Sequence, residues 1–325
     1  DEVPSRGLGD VYKRQGKIWM DGKLVEWSDA KIHVLTHTLH YGTGVFEGVR
    51  AYETSDGPAI FRLEDHTNRL FESAKLIGMQ IPYDAKVLND AQSQVVKINN
   101  LKNAYIRPMC FYGSEGMGLR ADNLKVHTII AAWDWGSYLG DDKILNGIKV
   151  KVTDFPKRSE KSMLHKAKAS GNYLYSMLAL KDALNSGYDE ALILDIDENV
   201  NEGSGENFFM IINNTIHTPK DATVLNGITR QTVMKIARDL NYRVEETNIS
   251  VDDVKSSDEA FFTGTAAEVT PIIQVDNVKI NDGKPGEITK KIQKIYFDLI
   301  RGKVDEYSSW SVSYTHLRAH ETVLH

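Results

Sequence analysis

Two α+β domains are the architecture this sequence predicts, and three observations predict it. The chain has 325 residues, and domains of ~100–200 residues make two the expected number. Runs rich in β-branched and aromatic residues recur through both halves, as strands require. Segments with helical period fall between them at irregular intervals, unlike the regular strand–helix alternation of a doubly wound sheet.

The elements follow in order. "KIWMDGKLVEW" predicts a hairpin, with Asp21 and Gly22 in the tight turn. "HTLHYGTGVFEGVRAYET" and "GPAIFRL" predict further strands. From Leu63 the period changes: Leu63, His66, Leu70, Ala74 and Ile77 share one helical face, and Gly78 stops it. "DAQSQVVKINN" predicts a second helix, and "AYIRPMCFYG" and "VHTIIAAWDW" two strands. "WGSYLGDD" has the glycines and acids of a linker. The first domain is therefore expected over 17–134, an interdomain loop over 135–143 and the second domain over 144–310. In that second half "NYLYSMLALKDALNSG" and "TRQTVMKIARDLN" predict helices. "GIKVKVTDF", "EALILD", "NFFMIINNTIHT", "EETNIS", "EAFFTGTA" and "IIQVDNVKI" predict strands. Residues 1–16 and 311–325 carry no periodic pattern and no signal-peptide features. Both ends are expected to be non-native or disordered, and they are set apart from the fold.

Composition excludes several classes of function. The formal net charge of −6 argues against nucleic acid or an anionic membrane, which are met by basic surfaces. No apolar run approaches the ~18 residues of a membrane helix. The single cysteine, Cys110, makes no internal disulfide, which suits a reducing, cytoplasmic setting.

Several motifs bear on chemistry. "GTGVFEG" misses the dinucleotide fingerprint by one residue, and nothing matches a P-loop. His33, His37 and His40 would cluster on a helix, but "HVLTHTLHYG" is rich in strand formers, and a strand turns His40 away from the other two; no metal site is expected. "NGITRQTVMKIARDL" opens an amphipathic helix at Gly227, Ile228 and Thr229. Such a start is either a seat for phosphate or a simple threonine cap. In "FFTGTAAEVTP", Gly264, Thr265 and Ala266 let a ligand approach the backbone. In "NEGSGENFF", Glu202 and Glu206 are either solvated loop acids or partners held for a cation. "KSMLHKAKASGNYLYS" brings Lys161, Lys166 and Lys168 to a tight turn. Strand parity puts Lys166 and Lys168 on one face, and position beside the turn favours Lys168. A lysine used as a Schiff base must be desolvated enough to lose its proton; an ordinary surface lysine is the competing reading.

Taken together, "HTLHYGTGVFEGVRAY", "HTNRLFESAK", "AYIRPMCF", "WDWGSYLG", "KAKASGNYLYS", "NEGSGENFF", "NGITR" and "FFTGTAAEVTP" resemble the branched-chain amino-acid aminotransferases. These are fold-type IV enzymes dependent on pyridoxal 5′-phosphate (PLP). The similarity runs from about Lys17 to Trp310. It implies a small N-terminal domain and a larger strand-rich C-terminal domain with PLP at their interface. The implied activity is transamination between leucine, isoleucine or valine and 2-oxoglutarate. Another fold-type IV activity (a D-amino-acid or amine aminotransferase, or aminodeoxychorismate lyase) is the alternative, and a non-catalytic PLP-binding protein a remote one.

The resemblance also implies roles. Lys168 is the Schiff-base residue, and Arg69, Ile228, Thr229 and Thr265 hold the phosphate. Tyr173 bonds the phenolic oxygen, and Glu202 faces the pyridine nitrogen. Tyr41, Phe46, Trp135, Tyr138 and Tyr173 form an aromatic pocket for branched side chains. Tyr105, with backbone N–H groups at Thr265 and Ala266, takes the α-carboxylate, and Arg107 the distal carboxylate of glutamate. Leu119 reaches the pocket of a neighbouring subunit in a homodimer or larger assembly. Two departures, Asp134 before "WGSY" and His165 near the lysine, bear on substrate preference rather than on the chemistry.

Overall fold

The structure is a computed structural model, and it describes residues 16–136, 140–153, 155, 159, 164–222 and 224–314. Tyr138 and Lys161 lie outside the described residues.

The predicted hairpin forms from β1 (Lys17–Met20) and β2 (Lys23–Glu26). Asp21 and Gly22 both take positive φ, 48° and 89°, the backbone that a two-residue hairpin turn needs. Beyond it the prediction fails locally: His37–Tyr41 is a helix, α1, not the start of a strand. Gly42 ends it at φ 68°, its N–H donating to the Thr38 carbonyl. Thr38 Oγ1 also donates to the Thr43 carbonyl and accepts from the Tyr112 N–H, tertiary bonds that override strand propensity. The histidines bond locally: His37 with Thr43 and the Gly118 carbonyl, His40 with the Val34 carbonyl, His33 with the Leu35 N–H.

β3 (Gly44–Phe46), β4 (Val49–Thr54) and β5 (Gly57–Phe61) follow. α2 (Leu63–Leu76) buries Leu63, His66, Leu70 and Ala74 on the predicted face, and also Arg69. α3 (Ala85–Ile98) starts earlier than its apolar pattern indicated, because the Asp84 carboxylate caps it by accepting from the Val87 N–H. β6 (Ala104–Tyr112) and β7 (Val126–Trp133) pair antiparallel from Tyr105 opposite Trp133 to Tyr112 opposite Val126. A core of Val45, Ile60, Leu70, Leu88, Val95, Ile106 and Ile130 fills the space between this sheet and the two helices.

The second half contains α4 (Asp141–Asn146), β8 (Ile148–Val152), α5 (Tyr173–Asn185), β9 (Glu190–Leu194), β10 (Val200–Gly203), β11 (Asn207–Ile212) and β12 (Thr215–Pro219). It continues with α6 (Ile228–Asp239), β13 (Arg243–Thr247), α7 (Val251–Lys255), β14 (Glu259–Gly264), β15 (Glu268–Val275), β16 (Val278–Lys279) and α8 (Glu287–Ile300). The segment expected to be an interdomain loop thus becomes helical at Asp141. The second sheet runs β10-β9-β8-β15-β14-β11-β12-β13, and β10 also pairs with β11. That extra pairing closes six strands into a ring around Ile148, Leu192, Phe208, Phe262 and Ile272. A third cluster joins Tyr52 and Phe61 of the first sheet to Phe209, Phe261 and Tyr296 of the second half. The architecture is α+β with two sheet-centred domains, as expected.

The C-terminal end requires a correction. Ser311–Ser313 form β17, which pairs antiparallel with β5 at the edge of the first sheet, giving the order β17-β5-β4-β6-β7-β1-β2. Tyr314 is buried, and its hydroxyl donates to the Leu101 carbonyl at 2.6 Å. An edge strand offers backbone donors and acceptors to any extended chain, so pairing needs no apolar pattern in the incoming segment. Residues 311–314 therefore belong with the first sheet. Among the described residues, no helix is long and apolar enough to cross a membrane.

Candidate active site

A cavity of about 420 Å³ opens between the two sheets. Lys168 enters it on a segment that leads to a 3₁₀ turn at Ser170–Asn172 and then α5. The backbone here is tied to the first domain: the Lys168 N–H donates to Ser73 Oγ at 3.0 Å, and its carbonyl accepts from the Phe46 N–H at 3.1 Å. The Asn172 amide closes the turn by donating to the Leu164 and Ala167 carbonyls. Lys168 Nζ lies 2.7 Å from the Tyr173 hydroxyl. Lys166, which parity placed on the same face, points outward and pairs with Asp221 at 3.1 Å. No regular strand runs through residues 164–168, so strand parity does not apply there.

One end of the cavity is built for an anion. α6 starts at Ile228, and its N-cap, Gly227, supplies no side-chain acceptor for the first N–H groups. An ideal Cβ on Gly227 would fall 1.9 Å from Asn207 Oδ1, so only glycine lets the chain pass. Ile228, Thr229 and Thr265 all line this region, and so does Arg69 from α2. The Arg69 guanidinium is aimed by three bonds: Nε and NH2 donate to Glu47 at 2.7 and 2.9 Å, and NH1 donates to the Asn226 carbonyl at 3.0 Å. Glu47 is 0% exposed and also bonds His66 Nδ1 at 2.7 Å. Burial pushes the Glu47 carboxyl up, but Arg69 and His66 together hold it well below the usual carboxylate range. Burial lowers the pKa of His66, leaving a neutral ring whose Nδ1–H donates to Glu47.

A recess beside the cavity carries acids. Glu202 shares a recess adjoining the cavity with Lys168 and Tyr173, and Glu206 lines both spaces. Burial raises the pKa of Glu206 well above the usual range, Glu190 adds to the rise, and the Gly205 N–H and Lys168 oppose it. Glu190 is raised by burial too, so Glu206 and Glu190 are two buried carboxyls with a reason to keep a proton.

The remaining wall is aromatic. Phe46 and Tyr173 approach to 4.9 Å between centroids, and Tyr105 packs against Trp135 at 4.8 Å. The Arg107 guanidinium lies over the Phe46 ring at 4.6 Å, and its NH2 donates to the Tyr105 hydroxyl at 3.0 Å. The Tyr105 hydroxyl leans over Gly48, where an ideal Cβ would come within 2.1 Å of it. Ala266 completes this side.

The structure thus gathers Arg69, Lys168, Tyr173, Ile228, Thr229, Thr265, Phe46, Tyr105, Arg107, Trp135 and Ala266 around one cavity, with Glu202 in its recess. It does not bring Tyr41 or Leu119 there. Tyr41 is 40% exposed and Leu119 89% exposed. The two form one surface lobe, in which the Gly118 N–H donates to the Tyr41 hydroxyl at 3.2 Å. α1 turns the Tyr41 ring outward, away from this chain's own cavity. Sequence reasoning missed Glu47 and Glu190. Glu47 sits inside "GTGVFEG", where an acid amid apolar strand residues was the only visible signal.

Relatives and solved structures match the chain over most of its length. The family model described as amino-transferase class IV matches residues 44–275. A branched-chain-amino-acid aminotransferase of Pseudomonas aeruginosa is 54% identical over 297 residues, covering 91% of this chain and 97% of the relative. The crystal structure of an Escherichia coli branched-chain amino acid aminotransferase superposes with a TM-score of 0.91 at 38% identity, over 93% of this chain and 100% of that one. A branched-chain amino acid aminotransferase from Thermobaculum terrenum in its PLP form gives 0.86 at 29% identity, over 92% and 98%. With a lysine amine and an anion seat facing one cavity, and a match over most of its length, the chain belongs to the class IV aminotransferases.

Proposed function

We propose that this enzyme transfers amino groups between the branched-chain L-amino acids (leucine, isoleucine and valine) and 2-oxoglutarate. The observation that carries the proposal is the placement of Lys168 Nζ, bonded to Tyr173, between an anion seat and an aromatic wall that bears Arg107. Aminotransferases of this class use PLP. The residues present fit that group: a helix start and Arg69 for a phosphate, an amine for a carbonyl carbon, and acids on the far side. The buried Thr263 hydroxyl, which has no hydrogen-bond partner among the described residues, also faces the cavity.

When bound, PLP supplies the electron sink that makes the α-proton of an amino acid removable. Arg69, Ile228, Thr229 and Thr265 anchor the phosphate through charge-assisted and backbone hydrogen bonds. Glu202, in the recess with Lys168, would hold a proton on the cofactor's ring nitrogen. Lys168 would hold the cofactor through its Nζ, and the same amine is placed to take the proton leaving the substrate's α-carbon. Tyr173 orients that amine. Tyr105 and the N–H groups of Thr265 and Ala266 bind the α-carboxylate, which fixes the α-carbon near Nζ. Phe46, Trp135, Tyr138 and Tyr173 take the aliphatic side chain, and Arg107 the distal carboxylate of glutamate. The exposed lobe at Tyr41 and Leu119 supports a homodimer or larger assembly in which Leu119 closes a neighbour's cavity. A cytoplasmic location is supported by the lone, buried Cys110.

Borohydride reduction of the PLP-loaded protein, followed by peptide mapping, is expected to place the label on Lys168. A half-reaction with L-leucine should bleach the visible band of the bound cofactor, and D-alanine should not. Conversion of D-alanine alone would assign a D-amino-acid aminotransferase instead, and a label on another lysine would remove Lys168 from its role.

A further inference from the structure

Behind the aromatic wall lies an ion pair with no part in the roles above. Arg50, on β4, is 6% exposed, and Glu268, at the start of β15, is 7% exposed. Arg50 NH1 lies 3.5 Å from Glu268 Oε1, and the same oxygen accepts from the Tyr52 hydroxyl at 3.0 Å. Tyr52 also offers its ring face to the guanidinium, 5.0 Å from the centroid. A third contact leaves the group: Arg50 NH2 donates to the Trp135 carbonyl at 3.3 Å.

The position of this pair gives it a reach beyond packing. Arg50 stands opposite Tyr105 in the β4–β6 register, and Trp135 stacks on that same Tyr105. Glu268 pairs with Gly264 across the β14–β15 hairpin, so it closes the turn that presents Thr265 and Ala266. Glu268 takes φ 56°, a conformation that non-glycine residues hold only when their surroundings impose it. One buried guanidinium therefore joins three parts of the wall: the Tyr105 strand, the segment at Trp135 and the Thr265–Ala266 turn.

We propose that Arg50 and Glu268 form a positioning unit that sets the substrate compartment by tying the segment at Trp135 to the Thr265–Ala266 turn. Neither residue lines the cavity, so both act through their neighbours. The unit fixes the distance between the side-chain wall and the donors for a carboxylate. Its loss loosens substrate binding and leaves the anion seat at Arg69 and α6 in place. This inference rests on the aminotransferase reading for its kinetic consequence, though not for its structural one.

The test uses the PLP-loaded protein with two conservative variants. Arg50→Lys keeps the charge without the fork, and Glu268→Gln keeps an acceptor without the charge. Hydrogen exchange followed by mass spectrometry reads the peptides covering residues 133–143 and 262–268. Both variants are expected to speed exchange in both peptides, since local opening follows lost local bonds. The KM for L-leucine should rise about tenfold with kcat little changed, as removal of ground-state positioning predicts. Affinity for PLP should stay within about twofold of the parent, a change of under ~0.5 kcal/mol. Unchanged exchange in both peptides would overturn the proposal, and so would a loss of PLP affinity in step with the rise in KM. If the parent enzyme does not convert L-leucine, the substrate assignment falls, and the exchange result still decides whether the unit exists.

Discussion

Arg69 reaches the cavity with most of its donors already placed. Two of its nitrogens serve Glu47 and a third serves Asn226, so its remaining hydrogens face the anion seat in one orientation. A free arginine would lose side-chain entropy on binding phosphate; here that cost is met in folding. Glu47→Gln leaves the guanidinium charge buried without its counter-charge, which by analogy with broken buried pairs costs about 3–5 kcal/mol. The urea midpoint at neutral pH and the affinity for PLP are both expected to fall, and an unchanged midpoint would refute this role. The pH dependence has a definite sign. The folded pKa of Glu47 lies below its ordinary value of 4.5, so its contribution is complete above about pH 4.5 and is lost as pH falls toward the folded value. Between pH 5 and pH 3 the parent should therefore lose stability more steeply than Glu47→Gln.

At the scale of elements, the start of α6 shows how a short motif carries function. Its first N–H groups have no side-chain cap, which helices rarely tolerate unless a ligand or water satisfies them. Gly227 is required by the close approach of Asn207, whose amide donates to the Leu225 carbonyl at 2.9 Å. Gly227→Ala should push Asn207 or the helix start aside and weaken PLP binding about tenfold or more, equivalent to ~1.4 kcal/mol, as measured by equilibrium titration. Binding as tight as the parent's would mean that α6 can shift without cost. The "NGITR" stretch was legible in the sequence as a helix start, yet its two readings stayed open there. The structure favours the anion seat because Arg69, from another domain, faces the same space. α1 shows the converse: its residues favour strand, and hydrogen bonds between Thr38 and the distant Tyr112 decide for helix.

For the whole molecule, the exposed lobe at Tyr41 and Leu119 is the feature that a single chain leaves unexplained. Large apolar side chains cluster there, with Val34 at 75% and Leu39 at 62% exposure, more than a monomer's surface usually shows in one place. Leu119→Asp alters no buried contact in the chain itself. It is expected to shift the assembly toward monomer in light scattering at micromolar concentration and to lower activity per chain. An unchanged mass with full activity would argue that the lobe has no partner. A large part of the fold was legible: the Asp21-Gly22 hairpin, α2 with its stop at Gly78, and the strands of both sheets followed from period and turn chemistry. β17 was not, because its pairing depends on the open edge of β5 rather than on any pattern in Ser311–Ser313.

Local periodicity and turn residues were enough to determine the α+β class and most of the elements, while the class of chemistry was implied by the family resemblance of the ordered motifs. That is because helices, strands and tight turns are specified by neighbours in the chain. The tertiary structure alone decided that Glu47 aims Arg69 and that Arg50 meets Glu268 across the domains. The partner of a buried charge is chosen by packing between segments far apart in sequence, and such a pairing leaves no local mark on either residue.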